Sequence, residues 1–142
     1  MDNSKTYEFL ETLSIPVFSY RQRNLPAFWY RDSGLKSAHR VESPEAIAKI
    51  YSIAKNLNSS HGLLLCNPIP KKYSLDKMYL EPLISHGVRE LKNNNITGKK
   101  LTPSLLDYLV TKTNGKTLES NIEIVKSNAE LGAKVAKALA FC

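Results

Sequence analysis

The sequence predicts an α/β fold, in which helices alternate with the strands of a parallel sheet. Residues 15–20 are rich in β-branched and aromatic side chains, as strands are, and residues 62–66 form a continuous apolar run. Such a run is typical of a parallel strand that is covered on both faces. With 142 residues, of which 42% are hydrophobic, the chain is long enough for one core but too short for two.

The first predicted helix contains Tyr7, Leu10 and Leu13 at helical spacing, and the strand at 15–20 follows it. An early proline does not exclude that strand, because proline is tolerated where a strand begins. A long loop at 21–38 comes next. Loops of this length within a compact domain are often functional, which makes this loop a functional candidate.

A short strand at 39–41 closes the loop, and a strong helix start follows it. Ser43 is a good capping residue, Pro44 suits the first helical position, and Glu45 places a negative charge in the first turn. Apolar residues at helical spacing extend this helix to about Asn58.

The apolar strand at 62–66 ends abruptly in the Asn-Pro-Ile-Pro turn at 67–70. Ligands of open α/β sheets bind at the carboxyl ends of strands, so this rigid turn is either the wall of a site or simply a strand terminator. A helix is predicted at 76–95. Pro82 is expected to shift the regular part of that helix towards its C-terminus or to kink it.

Two further helices complete the prediction. Thr102 is expected to cap the first of them, which ends at Asn114-Gly115, a common C-terminal signal. The last helix spans 117–140 and carries an apolar stripe with alternating steps of four and three residues, which we expect to face the core. The stripe consists of Leu118, Ile122, Val125, Ala129, Gly132, Ala136 and Leu139. Asn121 interrupts it, and a buried amide there needs hydrogen-bond partners from the protein or from a ligand.

The composition limits the classes of function. The chain has 20 Lys and Arg against 13 Asp and Glu, and its net charge of +7 favours anionic partners. A small basic nucleic-acid-binding domain is therefore an alternative, although clustered arginines and a recognition-helix pattern are missing. Cys66 and Cys142 give neither a disulfide framework nor metal-ligand spacing, which suits a reduced compartment. With no recognisable leader or membrane span, a cytoplasmic protein without membrane partners is expected.

Several weaker candidates have two interpretations each. His39 beside Arg40 would reach a phosphate, but a packing role is the simpler interpretation. The lysine pairs at 71–72 and 99–100 either neutralise an anionic ligand or face solvent, as most lysines do. The aromatic run at 28–30 invites base stacking, yet three adjacent rings cannot share one face, so an anchor for the loop or a subunit contact is favoured.

Nine short segments, taken in order, resemble the pattern of one known family. They include Leu-Pro-Ala-Phe at 25–28 and Asn-Pro-Ile-Pro at 67–70. The full set is 6–12, 15–17, 25–28, 33–34, 39–44, 67–70, 96–99, 101–103 and 120–122. The family is that of pseudouridine-5'-phosphate glycosidase (pseudouridylate synthase), also called indigoidine synthase A-like, and the resemblance extends to about Ala140.

The resemblance implies a fold and an activity. Family members are α/β/α proteins of about twice this length, so this chain, with its helix-rich carboxyl-terminal portion, would be part of one such layered domain. They associate as trimers and use Mn²⁺ to split pseudouridine 5'-phosphate reversibly into uracil and ribose 5-phosphate. A lysine that attacks C1' of the opened sugar as an amine supplies the electron sink that breaking a carbon-carbon glycosidic bond needs, with a carboxyl group as general acid.

The resemblance also implies which parts of that machinery the chain holds. Asp2 matches an aspartate that follows the family's nucleophilic lysine, so the lysine, the general acid and the metal-binding aspartate would all lie upstream of Met1. Residues 1–142 would then be the carboxyl-terminal portion of a single domain, without a catalytic residue or manganese ligand. Lys5 falls after the motif, on the following helix, and is not assigned the role of nucleophile. The chain would be inactive alone, or would act as a non-catalytic subunit or the partner of a separately encoded half.

One functional residue does carry over by the resemblance. Asn121 matches the asparagine of the family's Ala-Asn-Ile motif, with Ser120 in place of the alanine, and this asparagine approaches the sugar phosphate. We therefore expect Asn121 to bind substrate. The alternative is that its amide ties the helix to a loop. Asn128, one heptad later, is expected to be structural.

Overall fold

The computed structural model describes residues 3–142, so Asp2 lies outside it. Three strands form one parallel sheet in the order β2-β1-β3, with β1 at Val17–Tyr20, β2 at His39–Val41 and β3 at Leu64–Cys66. This arrangement confirms the predicted α/β fold with a parallel sheet. It also confirms the short strand at the end of the long loop.

The centre of the sheet is β1. Phe18 is opposite His39 of β2 on one side and Leu65 of β3 on the other, and it is 7% exposed. The prediction that the third strand is covered on both faces is wrong. β3 is an edge strand of this sheet, and Leu64 is 40% exposed. The apolar run of β3 is therefore only partly covered within this chain.

The described residues include five α-helices. They are α1 (Asn3–Thr12), α2 (Pro44–Asn56), α3 (Lys77–Asn93), α4 (Leu101–Lys112) and α5 (Lys116–Leu139). Ser43 caps α2 as predicted, because its side chain accepts a hydrogen bond from the Ala46 N–H at 3.2 Å. Asn114 and Gly115 end α4 with positive φ angles of 49° and 81°, which is also as predicted.

The helix predicted at 76–95 is confirmed, since α3 begins at Lys77. The expected shift of its regular part beyond Pro82 is wrong: α3 runs through Pro82, the Asp76 side chain caps its first turn, and Leu80 is fully buried. The predicted cap of the next helix is also wrong. α4 is preceded by a short 3₁₀ turn at Gly98–Lys100 and begins at Leu101, so Thr102 lies in its first turn instead of capping it.

The core has two parts. The first lies between the sheet, α2 and α5, and contains Phe18, Val41 and Ile47 with Val135 packed against them. The second lies between α3, α4 and the long loop. It contains Trp29, Leu80 and Leu109.

Helix α5 does not face the core with its apolar stripe, so that prediction is wrong. Leu118, Ile122 and Val125 are 49%, 47% and 66% exposed. The buried side of α5 lies about 120° further around the helix. Its members are Thr117, Ser120, Ile124 and Leu131.

Small hydroxyl residues can occupy this buried side because their polar atoms are paired. Ser120 Oγ donates to the Tyr73 carbonyl at 2.7 Å, and the Thr117 hydroxyl lies 3.1 Å from that of Thr113. A hydrogen-bonded hydroxyl can be buried at little cost, whereas an unpaired one cannot. Of the helices described, none combines the length and the apolar character that a membrane span requires.

Candidate functional site

The turn after β3 and the middle of α5 meet at the carboxyl edge of the sheet. Asn67 follows β3 directly, and its Nδ2 donates to Ser127 Oγ and to Asn128 Oδ1, each at 3.0 Å. Ile69 is fully buried, and its carbonyl accepts a hydrogen bond from Arg31 Nη1 at 2.6 Å. The rigid turn therefore ends the strand and also fixes α5 over the edge where α/β sheets bind ligands.

Asn121 is next to these ties but takes no part in them. Its Oδ1 is buried and has no hydrogen-bond partner among the described residues. The ties between α5 and the neighbouring loops come from Ser120 on one side, which bonds to Tyr73, and from Asn128 on the other, which bonds to Asn67. The structural role predicted for Asn128 is confirmed.

A buried carbonyl oxygen without a partner is unfavourable. An unsatisfied buried polar group costs about 1–3 kcal/mol, and most buried polar side-chain atoms in folded proteins are paired. Asn121 also lies on the border of two faces of α5, between the buried side and the exposed apolar stripe. The Asn121 amide oxygen is therefore a buried acceptor that the described residues leave unpaired.

The described residues do not form a manganese site. Between Asn3 and Cys142 no three His, Cys, Asp or Glu side chains converge as metal ligands would. The lysine considered above, Lys5, lies on a different helix from Asn121. Lys5 is on α1, which contacts β1, and Asn121 is on α5. We therefore derive no chemical step through a metal ion for this chain.

The weaker sequence candidates have structural roles. The His39 ring packs against Phe18 with 5.2 Å between centroids, and Arg40 forms an ion pair with Glu42, so the packing interpretation of His39 is confirmed. The lysines at 71–72 and 99–100 are exposed on the two 3₁₀ turns, as the solvent interpretation predicts.

The aromatic run anchors the long loop through its middle residue. Trp29 is 8% exposed and packs with Leu80 and Leu109, and its carbonyl accepts the Leu75 N–H at 2.8 Å. Phe28 is half-exposed and meets Trp29 edge-on at 4.9 Å. This geometry confirms the anchoring role for Trp29, because the rings of Phe28 and Trp29 are not parallel and so do not form a stacking platform.

Sequence reasoning missed a basic groove at the other end of α5. It has a volume of about 960 Å³ and lies beside the end of β1 and the start of α2. Its cationic lining residues are Arg21, Lys49, Lys134 and Lys137. Arg21 follows β1 directly and has a φ of 56°. A basic residue directly after a predicted strand is the sequence feature from which this groove could have been predicted. It is about 20 Å along the helix from Asn121, so the two do not form one site.

The chain is similar in sequence to a known protein family and to several of its curated members. The sequence profile of the family described as Indigoidine synthase A like protein matches residues 1–138. A pseudouridine-5'-phosphate glycosidase of Staphylococcus aureus (strain MW2) is 46% identical over 139 residues, covering 98% of this chain and 45% of the relative. Another, of Caldanaerobacter subterraneus subsp. tengcongensis, is 43% identical over 136 residues, covering 96% and 44%.

Solved structures share the fold. The crystal structure of an indigoidine synthase A-like protein of Thermotoga maritima superposes with a TM-score of 0.82 at 33% identity, covering 99% of this chain and 46% of that one. The prealnumycin C-glycosynthase AlnA, solved in complex with ribulose 5-phosphate, superposes with a TM-score of 0.88 at 24% identity, covering 98% and 46%.

The chain thus spans about half the length of the curated relatives that it matches. Its parallel sheet, its helix order and its nearly complete match to the family profile agree with one another. The chain belongs to the indigoidine synthase A-like family, whose curated relatives here are named pseudouridine-5'-phosphate glycosidases.

Proposed function

We propose that this chain forms the carboxyl-terminal portion of a single pseudouridine-5'-phosphate glycosidase domain and contributes Asn121 to its substrate site. The observation that carries the proposal is the buried, unpartnered Oδ1 of Asn121 on α5, the helix that Asn67 ties to the carboxyl end of β3 through Ser127 and Asn128. The names of the relatives support it, since they match this chain along almost its full length.

The chemistry of an amide suits this role. Asn donates through Nδ2 and accepts through Oδ1 without changing charge, so it can bind a sugar hydroxyl or a phosphate oxygen in every protonation state of the substrate. Asn67, Ser120 and Asn128 hold α5 in place around it. Their role would be to orient the Asn121 amide, not to touch the reacting atoms.

The remaining machinery would come from outside this chain. By the resemblance, the nucleophilic lysine, the general acid and the Mn²⁺ ligand would belong to the half of the relatives that this chain does not match, and among the described residues no three His, Cys, Asp or Glu side chains converge. The isolated chain is therefore proposed to be inactive. The complete assembly would bind pseudouridine 5'-phosphate, release uracil and ribose 5-phosphate, and form a homotrimer.

The test is a complementation assay. The chain is purified and incubated with pseudouridine 5'-phosphate and Mn²⁺, alone or with the part of the Staphylococcus aureus relative that the chain does not match. Uracil release is followed by chromatography. We expect no release by the chain alone and release by the mixture. Robust turnover by the chain alone, or none by a mixture shown to associate, would contradict the proposal.

The role of Asn121 is tested in the same assay. Asn121→Ala is expected to lower kcat/KM of the mixture by about tenfold or more, because one hydrogen bond to a charged group contributes about 1.5–3 kcal/mol. Lys126→Ala, on the exposed face of the same helix, is the matched control and is expected to leave kcat/KM unchanged. Equal effects of the two substitutions would exclude a substrate contact.

A second candidate is a non-catalytic subunit of the same fold. The observation that favours it is the lack of convergent metal-ligating side chains in the described part of the chain. The assay separates the two candidates. A non-catalytic subunit would associate with the complementary half without restoring uracil release.

A further inference from the structure

The exposed apolar face of α5 is long and regular. We define the outer apolar stripe as Leu118, Ile122, Val125, Ala129, Gly132 and Ala136. Its steps of four and three residues repeat without interruption, as in the seam by which one helix packs onto another. At 1.5 Å per residue it is about 27 Å long. Leu139 continues the spacing but is partly covered beside Val135.

This face is distinct from the solvated face of the same helix. The charged residues of α5 form pairs elsewhere on its circumference: Lys126 with Glu123 at 2.7 Å, and Lys134 with Glu130 at 2.6 Å. Charges are excluded from the stripe itself. Contiguous exposed apolar surface on a protein that also has a charged face is typical of an interaction site.

The second half of the stripe allows close approach. Ala129, Gly132 and Ala136 have little or no side chain, and a Cβ added at Gly132 would meet no atom within 4 Å. A partner element can therefore contact the backbone of α5 there and pack against Leu118, Ile122 and Val125 further along. The first half of the stripe offers large apolar side chains for packing, and the second half allows a partner to approach the helix backbone closely.

Two observations indicate what covers this stripe. The chain matches its relatives along 96% or more of its own length but spans only about 45% of theirs, so those relatives contain a further half that this chain does not match. β3 is an edge strand of the described sheet, and its Leu64 is exposed. This edge is a second apolar surface that a partner could cover.

We propose that the outer apolar stripe of α5 is the docking surface for a polypeptide that corresponds to the unmatched half of the relatives. The partner presents an apolar helix or sheet face to the stripe. It covers Leu118, Ile122 and Val125, which are about half to two-thirds exposed in this chain. This inference rests on the proposed function, because it specifies the surface through which the complete enzyme is assembled.

The test measures association directly. The probe is the part of the Staphylococcus aureus relative that this chain does not match, titrated against the full chain by calorimetry, with masses checked by light scattering. Val125→Glu places a charge in the stripe, and Lys126→Glu places the same side chain one residue later on the charged face. We expect Val125→Glu to raise the Kd at least about tenfold and Lys126→Glu to change it less than about threefold.

Folding and occupant are controlled separately. Val125 is two-thirds exposed, so Val125→Glu is expected to leave the circular dichroism spectrum unchanged, and Ile122→Glu serves as an independent stripe variant. Absence of association, or association equally sensitive to both charge variants, would overturn the proposal. It would also be overturned if the wild-type chain alone formed oligomers that Val125→Glu dissociates, since the occupant would then be a second copy.

The outcomes also separate this proposal from the proposed activity. Association that depends on Val125 without any uracil release would retain the docking surface and refute the glycosidase function. Uracil release that is insensitive to Val125→Glu and Ile122→Glu would retain the function and refute the surface. Activity and affinity are therefore both measured on each variant.

Discussion

Asn67 and Asn128 are 61 residues apart in the chain, and the Nδ2 of the first donates to the Oδ1 of the second at 3.0 Å. The same Nδ2 donates to Ser127 Oγ at 3.0 Å. This contact joins the end of an edge strand to the middle of α5. It sets the position of the helix that carries Asn121.

Removing this tie is expected to destabilise the chain. Asn67→Ala loses two hydrogen bonds and is expected to lower the free energy of unfolding by about 1–2 kcal/mol, measured by urea denaturation. Asn128→Ala loses only one acceptor and is the matched control, with a smaller expected effect. If the two substitutions had no effect, the contact would not contribute to holding α5.

Asn121 is expected to behave in the opposite way in the isolated chain. Asn121→Ala removes a buried oxygen that has no partner, and alanine is the better helix former, so the free energy of unfolding should rise by about 0.5–1 kcal/mol. Thermal and urea unfolding measure this. A loss of stability comparable with that of Asn67→Ala would mean that the amide is satisfied within the protein.

Alanine substitutions at two helical glycines are expected to change the free energy of unfolding in opposite directions. A Cβ at Gly87 of α3 would lie 2.6 Å from Tyr108 Cδ1 and 2.9 Å from Leu105 Cδ1 of α4, whereas a Cβ at Gly132 of α5 would meet nothing within 4 Å. Gly87→Ala should therefore destabilise by about 1–3 kcal/mol through overpacking. Gly132→Ala should stabilise the isolated chain by about 0.5–1 kcal/mol.

The unfolding midpoints of the two alanine variants in urea give the measurement, with the wild type as reference. A stable Gly87→Ala variant would show that α3 and α4 can separate without cost. In the complementation experiment, Gly132→Ala should weaken association, because it fills the part of the stripe where close approach is proposed.

Asp32 makes stability depend on pH in the acid range. Hydrogen bonds from the Gly34 N–H and from the Asn24 side chain lower the pKa of Asp32 below its ordinary value of 3.8. Since the folded pKa is the lower one, the contribution is complete well above pH 3.8 and is lost as the pH falls through the folded pKa. Asp32→Asn should therefore make the urea midpoint fall less between pH 6 and pH 3, values about 2 units above and 1 unit below the ordinary pKa of an aspartate.

Asn24→Ala is the graded control for this prediction. It removes the weaker of the two hydrogen-bonding causes and leaves the bond to Gly34, so the acid-induced fall should be intermediate. An identical pH profile for wild type and Asp32→Asn would refute the contribution of this carboxylate.

The two cysteines are expected to react at different rates. Burial raises the pKa of Cys66, so little of its thiolate forms near neutral pH, while Cys142 is exposed. Ellman's reagent at pH 7.5, near neutrality, should therefore give one fast and one slow phase. Cys142→Ser should abolish the fast phase. A fast phase that survives in this variant would show that Cys66 is accessible.

Local features of the fold were predictable from the sequence, because they depend on neighbouring residues. The cap at Ser43 and the termination at Asn114-Gly115 each involve atoms within a few residues of one another. The strand at 39–41 was predicted from its immediate sequence in the same way. Such signals do not depend on what packs against the element.

The orientation of α5 was not predictable in this way. The helix has two usable faces, and hydropathy ranks the stripe of Val125 above the face of Ser120. Burial of the Ser120 face is favourable because its hydroxyls are paired, one of them by a hydrogen bond from Ser120 to the Tyr73 carbonyl across 47 residues. Pro82 likewise remains within α3 because tertiary burial of Leu80 holds the preceding turn.

The place of β1 at the centre of the sheet has a consequence for the order of folding. Both of its neighbours are parallel to it, so every pairing in this sheet must wait for a long crossover to close. The helical hairpin of α3 and α4 has no such requirement, because a few residues join its two arms. We expect the hairpin to be protected from hydrogen exchange before the sheet is, so that a segment later in the chain acquires its structure before the strands that precede it.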